Sequence, residues 1–241
     1  MAFKFPGLPC VWPKECHPGW DYETLPYWQP LVLRAAEHLV GKLSDLQGGH
    51  SHLVDTRPAH RELFATLTPS DRRYYAGHYR GEEHYCLRCY PVGVPSDNRV
   101  GYAPSEVELA MRELAERIIK AVSILDVTWQ LPNAALPQNE KIRYVVKVGC
   151  ELFELFLRIH PYANGNGHTA RYLFLALLSR YGIEPKVWTI EPKPPAPYAQ
   201  FLSFFRDSVF GDVAAGAKRA LFEEWMLEQV IGPATLPVVI L

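Results

Sequence analysis

Long apolar runs and an excess of charge of either sign are both missing from this 241-residue chain. No stretch approaches the roughly 18 consecutive apolar residues of a membrane span, and the first ten residues lack the apolar region of a secretory signal. We therefore expect a soluble, cytoplasmic protein. Lys and Arg number 25 against 26 Asp and Glu, a net charge of −1. This balance excludes a broad basic surface, so neither nucleic acid nor an anionic membrane is expected as a partner.

Cysteine is also scarce, with five residues in the chain. Cys10 and Cys16 form one loose pair, and Cys86 and Cys89 form a C-x-x-C pair, so the four could bind zinc or form disulfides. The first spacing is irregular, and the second pair lies in a strand-like stretch where its members would face opposite sides. We therefore expect free, packed thiols and no zinc site. Cys150 lies within a helical pattern and is predicted to be a core residue.

Helical periodicity dominates the rest of the sequence. Apolar residues recur at helical spacing over 30–46, 57–67, 104–125, 198–210 and 214–231, so the fold should be mainly α-helical. The first 30 residues are rich in Trp and Pro, which favours an arm packed on the core, with a partner-docking segment as the alternative. The arm and the first helices together make an N-terminal extension over 1–76.

One short stretch, from His160 to Arg171, concentrates the chemistry. An amphipathic helix leads into His160, and Pro161 should end that helix because it disfavours helical geometry in the preceding residue. A second, largely apolar helix follows the turn that contains Gly165 and Gly167. Glycines let the backbone approach a ligand, and the free amides at a helix N-terminus form an anion site.

Two basic side chains fall in the first turn of that second helix. His168 and Arg171 are three residues apart and share a face. Cations at a helix N-terminus oppose the macrodipole at a cost of about 0.3–1 kcal/mol each, and a bound phosphate would reverse that cost. The alternative interpretation is an ordinary interhelical turn with a terminal histidine and surface bases.

The string His-Pro-Tyr-Ala-Asn-Gly-Asn-Gly-His-Thr-Ala-Arg, residues 160–171, resembles the signature of the Fic (Fic/Doc) family. His160, Pro161, the Gly-Asn-Gly core and Arg171 match, whereas Asn164 replaces an acidic residue and His168 replaces the first arginine. The string Gly-His-Tyr-Arg-Gly at 77–81 and the strand-like run 84–94 resemble the start of the family's flap. The resemblance implies a helical bundle with a short β-hairpin flap over 77–231, followed by a tail at 232–241.

The resemblance also implies roles for individual residues. His160 would be the general base for a target hydroxyl of Ser, Thr or Tyr that attacks the α-phosphate of ATP, so that AMP is transferred to a protein. The phosphate-binding set would be Asn164, Gly165, Asn166, Gly167, His168 and Arg171. The flap residues that hold the target segment would be Tyr85, Cys86, Leu87, Arg88, Cys89 and Tyr90. Mg²⁺ is expected as a cofactor, although Asn164 is a poorer ligand than a carboxylate.

The two departures leave alternatives open. The donor could carry another nucleotide, phosphate or phosphocholine, or the protein could be a non-catalytic or toxin–antitoxin-type regulatory binder. Many family members also carry an inhibitory Ser/Thr-x-x-x-Glu-Gly/Asn string whose glutamate pairs with the first arginine. No glutamate here is followed by Gly or Asn. We therefore expect no such intrachain glutamate, and control, if any, from a separate protein.

Overall fold

The computed structural model describes residues 10–43, 51–92, 101–207 and 213–232. Over these ranges the chain is mainly helical, as predicted, and contains no β-strand. The helices are α1 (Trp28–Leu43), α2 (Ser51–Val54), α3 (Arg57–Phe64), α4 (Pro104–Gln130), α5 (Gln138–Ile159), α6 (Asn166–Arg180), α7 (Tyr198–Asp207) and α8 (Val213–Ile231).

Helices α5 and α6 form the centre of the bundle. Every residue of α6 from His168 to Leu178 is buried, which explains why its apolar pattern surrounds the helix. Gly149 of α5 faces the Phe174 ring of α6, and a Cβ at this glycine would lie 2.6 Å from that ring. The glycine therefore permits the close approach of the two helices that carry the motif between them.

The N-terminal arm lies on the core at the side of the motif. Trp20 is 5% exposed and Tyr22 is 1% exposed. The Trp20 indole N–H donates to the Leu67 carbonyl oxygen at 3.0 Å, and its ring stacks on Tyr75. The aromatic density of the arm is therefore used in packing, with the polar ends of the rings satisfied.

The prediction of free thiols is wrong for four of the five cysteines. The outer disulfide joins Cys10 to Cys89, and the inner disulfide joins Cys16 to Cys86. Residues 84–90 follow successive turns, so two cysteines three positions apart can face the same partner segment. Cys150 is free and buried, as predicted. Disulfides are typical of oxidising compartments, which counts against the cytoplasmic expectation.

The predicted β-hairpin is not present where the structure describes this segment. The Leu87 amide donates to the His84 carbonyl and the Tyr90 amide donates to the Leu87 carbonyl, which are turn contacts. Buried side chains and the disulfides fix these turns, and that tertiary packing outweighs the strand propensity of the run. The end of the predicted strand, 93–94, and all but the first residue of the 232–241 tail lie outside the described residues.

In the described ranges, none of the helices has the length and apolar character needed to cross a membrane.

Candidate functional site

The motif forms the predicted helix–loop–helix. Helix α5 ends at Ile159, and His160 adopts left-handed backbone geometry with φ 54° and ψ 60°. Gly165 is the N-cap of α6 with φ 77° and provides no side-chain cap. The first amides of α6 have no acceptor within the helix, so they remain available to an anion.

The two motif glycines differ in what surrounds them. A Cβ at Gly165 would lie 2.3 Å from the Phe64 ring, and its positive φ adds strain for any other residue. A Cβ at Gly167 would meet only Arg171 Nη1 among the described residues, at 3.6 Å, which is an ordinary contact. Packing therefore requires Gly165, whereas nothing in the described protein crowds Gly167. The space beside Gly167 suits a close-lying ligand.

Both motif asparagines are occupied by the loop itself. Asn166 accepts the Tyr162 N–H at its Oδ1 and donates to the Tyr162 carbonyl, each at 2.9 Å. Asn164 Oδ1 accepts the Gly165 N–H at 2.7 Å, and its Nδ2 donates to the Trp20 carbonyl at 3.2 Å. These side chains hold the loop in shape, and the phosphate contacts expected of them would need to come from the backbone.

His60 supports the loop from α3, a role that sequence reasoning did not assign. Its Nε2–H donates to the Asn164 carbonyl at 2.9 Å, and its Nδ1 accepts the Gly77 N–H at 2.9 Å. The ring stacks on Tyr162 at 3.7 Å between centroids. Burial lowers the pKa of His60 to about 3, so the ring stays neutral and both nitrogens keep these bonds. A lone histidine in an amphipathic pattern gives no signal for such a role.

Arg80 is a second loop support, and its side chain is fully buried. Its Nε donates to the His160 carbonyl at 2.9 Å, and its Nη2 donates to the Tyr102 carbonyl at 3.0 Å. Its backbone N–H donates to the Pro161 carbonyl at 2.8 Å. Carbonyl oxygens thus solvate the cation, although burial still lowers its pKa to about 10. The Gly-His-Tyr-Arg-Gly string therefore positions the backbone of the motif.

His160 is in the protonation state of a base. Its Nδ1–H donates to the Leu157 carbonyl at 3.2 Å, which leaves the lone pair on Nε2. Burial, together with the nearby Arg80 cation, lowers its pKa to about 4. The ring is therefore neutral at physiological pH and able to accept a proton.

His168 links the arm to the segment after α6. Its Nε2–H donates to Glu191 Oε2 at 2.8 Å, and its Nδ1 accepts the Tyr22 hydroxyl at 3.1 Å. Burial lowers the pKa of His168, so we assign it the neutral tautomer that donates to an ionised Glu191. Although burial would raise the pKa of Glu191, the hydrogen bond from His168 and the nearby cations lower it overall.

Arg171 is the cation of the site, and it is 3% exposed. Its Nε donates to the Ile190 carbonyl at 2.6 Å, and its Nη1 donates to the Tyr198 hydroxyl at 3.4 Å. Its Nη2 is buried and has no hydrogen-bond partner among the described residues, with Glu191 Oε2 at 3.7 Å. An unsatisfied buried guanidinium N–H is costly, and a phosphate oxygen would satisfy it.

The expectation of no intrachain glutamate at this site is wrong. Glu191, in the segment between α6 and α7, faces both His168 and Arg171. It also lines a groove of about 700 Å³ between α1 and residues 182–191. Glu191 is followed by Pro192, so a search for the inhibitory string could not find it. Only the path of the chain brings it to the motif.

The residues expected in the flap do not present an edge strand. Tyr85 and Arg88 are exposed, whereas Leu87 and Tyr90 are buried in the core and the two cysteines are bridged. Trp12 donates its indole N–H to the Cys86 carbonyl at 3.0 Å, so the arm already occupies a backbone acceptor of this segment. A target segment could reach the exposed side chains there, but the turns offer it no ladder of backbone groups.

The motif does not by itself fit Mg²⁺. Its two side-chain amide oxygens, from Asn164 and Asn166, are neutral and each already accepts a backbone N–H. Mg²⁺ prefers carboxylate and phosphate oxygens in near-octahedral geometry. The carboxylate that lies beside Arg171, that of Glu191, already accepts a hydrogen bond from His168. The residues present therefore do not form a magnesium site of their own.

A family model matches the part of the chain that contains the motif. No curated protein matches the sequence. Among solved structures, a Fic-domain-containing signaling protein from Bacteroides thetaiotaomicron is similar, at 16% sequence identity and a TM-score of 0.49, over 83% of this chain and 68% of that one. The model of the Fic/DOC family matches residues 52–178, which is more than half of the sequence and includes the whole motif. The chain belongs to the Fic/DOC family.

Proposed function

We propose that this protein is a nucleotidyltransferase that moves AMP from ATP to a hydroxyl side chain of a target protein. The observation that carries the proposal is the buried Arg171 Nη2, which has no hydrogen-bond partner among the described residues and belongs to a guanidinium whose Nη1 reaches Gly167 in the first turn of α6. Backbone amides, the helix dipole and a guanidinium then face one position, and this arrangement selects a phosphate group.

His160 supports the catalytic part of the proposal. The target hydroxyl oxygen attacks the α-phosphorus as its proton passes to His160 Nε2, and the bond from the α-phosphorus to the bridging oxygen breaks. Pyrophosphate leaves with that electron pair. A neutral imidazole with a free Nε2 suits the proton transfer, and Arg171 would offset the charge that develops on the phosphates.

The site must open before a donor can bind. Glu191 occupies the position next to the free Arg171 nitrogen, and Tyr22 of the arm holds His168 from the other side. A carboxylate there mimics one phosphate charge but supplies fewer acceptor oxygens. Under the proposal, the donor phosphate displaces Glu191 and the segment that carries it, toward the groove beside α1.

Transfer of a different phosphate-containing group is the second candidate, and the state of His168 favours it. A triphosphate usually meets several cations, whereas this site offers one arginine and a neutral histidine. A donor with fewer phosphate charges, such as a diphosphate that transfers phosphocholine, fits that charge count better. A binder without catalysis would keep the phosphate contact but not depend on His160.

Intact-mass spectrometry of the protein with candidate targets and each donor in turn separates these functions. The matched pair is His160→Ala and His38→Ala, because His38 is an exposed histidine of α1 whose Nδ1 contacts Glu62 and not the motif. An AMP adduct with wild type and His38→Ala, but not with His160→Ala, supports the proposal. A different adduct selects the second candidate. Donor binding with no adduct, equal in wild type and His160→Ala, overturns both.

A further inference from the structure

A cluster of three metal-binding side chains lies outside the motif, in the turns over 77–84. It consists of His78, Glu82 and His84, all partly buried, and it is the one such group found in the described part of the chain. His78 Nδ1 lies 2.6 Å from Glu82 Oε2, and His84 Nε2 lies 3.2 Å from His78 Nδ1. His84 Nε2 lies 3.9 Å from Glu82 Oε2.

These three separations match those of a tetrahedral zinc site. Zinc ligands at about 2.0–2.1 Å from the ion are about 3.3 Å apart when the geometry is tetrahedral. The observed separations of 2.6, 3.2 and 3.9 Å lie around that value, so small rotations of the side chains would bring all three atoms onto one ion. The set of two histidines and one glutamate is one that zinc uses with three protein ligands and a solvent position.

Protons alone satisfy this cluster poorly. If the His78 Nδ1–H donates to the Glu82 carboxylate, that proton is not directed at His84. His84 Nε2 nevertheless lies 3.2 Å from the same nitrogen. A divalent cation would accept lone pairs from all three atoms at once.

Groups around the cluster already hold the ligands in place. Glu82 Oε1 accepts the Tyr79 N–H at 2.8 Å, so only Oε2 points at the histidines. The Tyr74 ring stacks on His84 at 4.9 Å with an interplanar angle of 6°. Such outer contacts are what fix the orientation of metal ligands in proteins. Packing also requires glycine at position 81, because a Cβ there would overlap the Pro104 carbonyl.

We propose that His78, Glu82 and His84 bind one zinc-class divalent cation, with the fourth position taken by solvent. The ion would lock the turns over 77–84, which include Arg80 and so hold the backbone of His160 and Pro161. Its role is therefore to position the motif from outside it. The four cysteines first weighed as zinc ligands are bridged to one another, so they do not compete for this ion.

Calorimetry of the full, oxidised chain with Zn²⁺ alone tests the proposal. We expect one ion per chain for wild type and for His38→Ala, whose histidine contacts a single glutamate and lacks a third ligand. Loss of an outer-shell partner costs about 10–100-fold in metal affinity, so His84→Ala and Glu82→Gln should each lose about 100-fold or more. Binding that the triad variants leave unchanged, or no stoichiometric binding, overturns the proposal.

Cobalt substitution of the wild-type protein keeps the test decisive if a variant does not fold. Co²⁺ in this site should give the strong visible absorption of a four-coordinate ion with nitrogen and oxygen ligands, and no thiolate charge-transfer band. Weak bands of a six-coordinate ion, or a thiolate band, would overturn the assignment. Melting curves without metal identify variants that are merely unfolded.

Discussion

Replacing Glu191 with glutamine should strengthen donor binding. The change keeps the size of the side chain and an acceptor for His168 but removes the charge next to Arg171. A unit charge pair at their separation of 3.7 Å is worth about 4–5 kcal/mol at an effective dielectric constant of 20. Desolvation cancels most of this, and a charge-assisted contact contributes a net of about 1.5–3 kcal/mol. We therefore expect the Kd for ATP to fall about 10–100-fold.

Calorimetry with ATP measures this effect, and Glu184→Gln is the matched control. Glu184 lies in the same segment and is exposed, so its neutralisation should leave the Kd within about twofold of wild type. Arg171→Lys should weaken binding in both backgrounds, because lysine lacks the planar pair of N–H groups. An unchanged Kd for Glu191→Gln, with Arg171→Lys still weakened, would refute the idea that the carboxylate competes with phosphate.

Three further predictions concern stability, measured by urea unfolding. Gly165→Ala should lose about 2–4 kcal/mol from its contact with Phe64 and its positive φ, whereas Gly167→Ala should lose under about 1 kcal/mol; equal losses would contradict the packing argument. The outer disulfide spans 79 residues and the inner one 70, so with one disulfide in place the other closes a ring of only about nine residues. Serine replacement of either cysteine pair should lower the free energy of unfolding by about 2–3 kcal/mol, and replacement of both pairs by about 7 kcal/mol. A double loss equal to the sum of the two single losses would contradict this account. His60 and His160 have folded pKa values of about 3 and 4, below the usual value near 6.5. Between these values the unfolded chain is protonated at both histidines, whereas the folded chain is not. The unfolding free energy should therefore fall between about pH 6.5 and 4, by about 1.4 kcal/mol per pH unit for each histidine, and a flat profile would show that these rings are not buried as neutral bases.

Local patterns predicted the helices and the motif well, because both depend on neighbouring residues. The observed helices Pro104–Gln130 and Arg57–Phe64 begin where the periodicity begins, and Pro161 ends α5 as its chemistry requires. Gly165 marked the turn, whereas Gly167 lies inside the first turn of α6. Arg171 lies on this helix as predicted, but as its sixth residue, in the second turn and not in the first.

The flap and the cysteines show where local reasoning failed. Tyr, Cys and Val favour strands, but the segment packs Leu87 and Tyr90 into the core through turns. The expectation that Cys86 and Cys89 face opposite sides came from the alternation of side chains along a strand, and this segment is not a strand. Their partners lie 70 and 79 residues away, and no local pattern encodes that distance.

The sequence by itself determined the helical class, the family and the helix–loop–helix that the motif forms, since these depend on residues within a few turns of one another. Tertiary structure alone decided what surrounds that loop. It placed Glu191 against Arg171, Tyr22 against His168, and Arg80 beneath His160. Each of these contacts joins residues far apart in the chain, and their strength depends on burial, which arises only when the whole core is assembled.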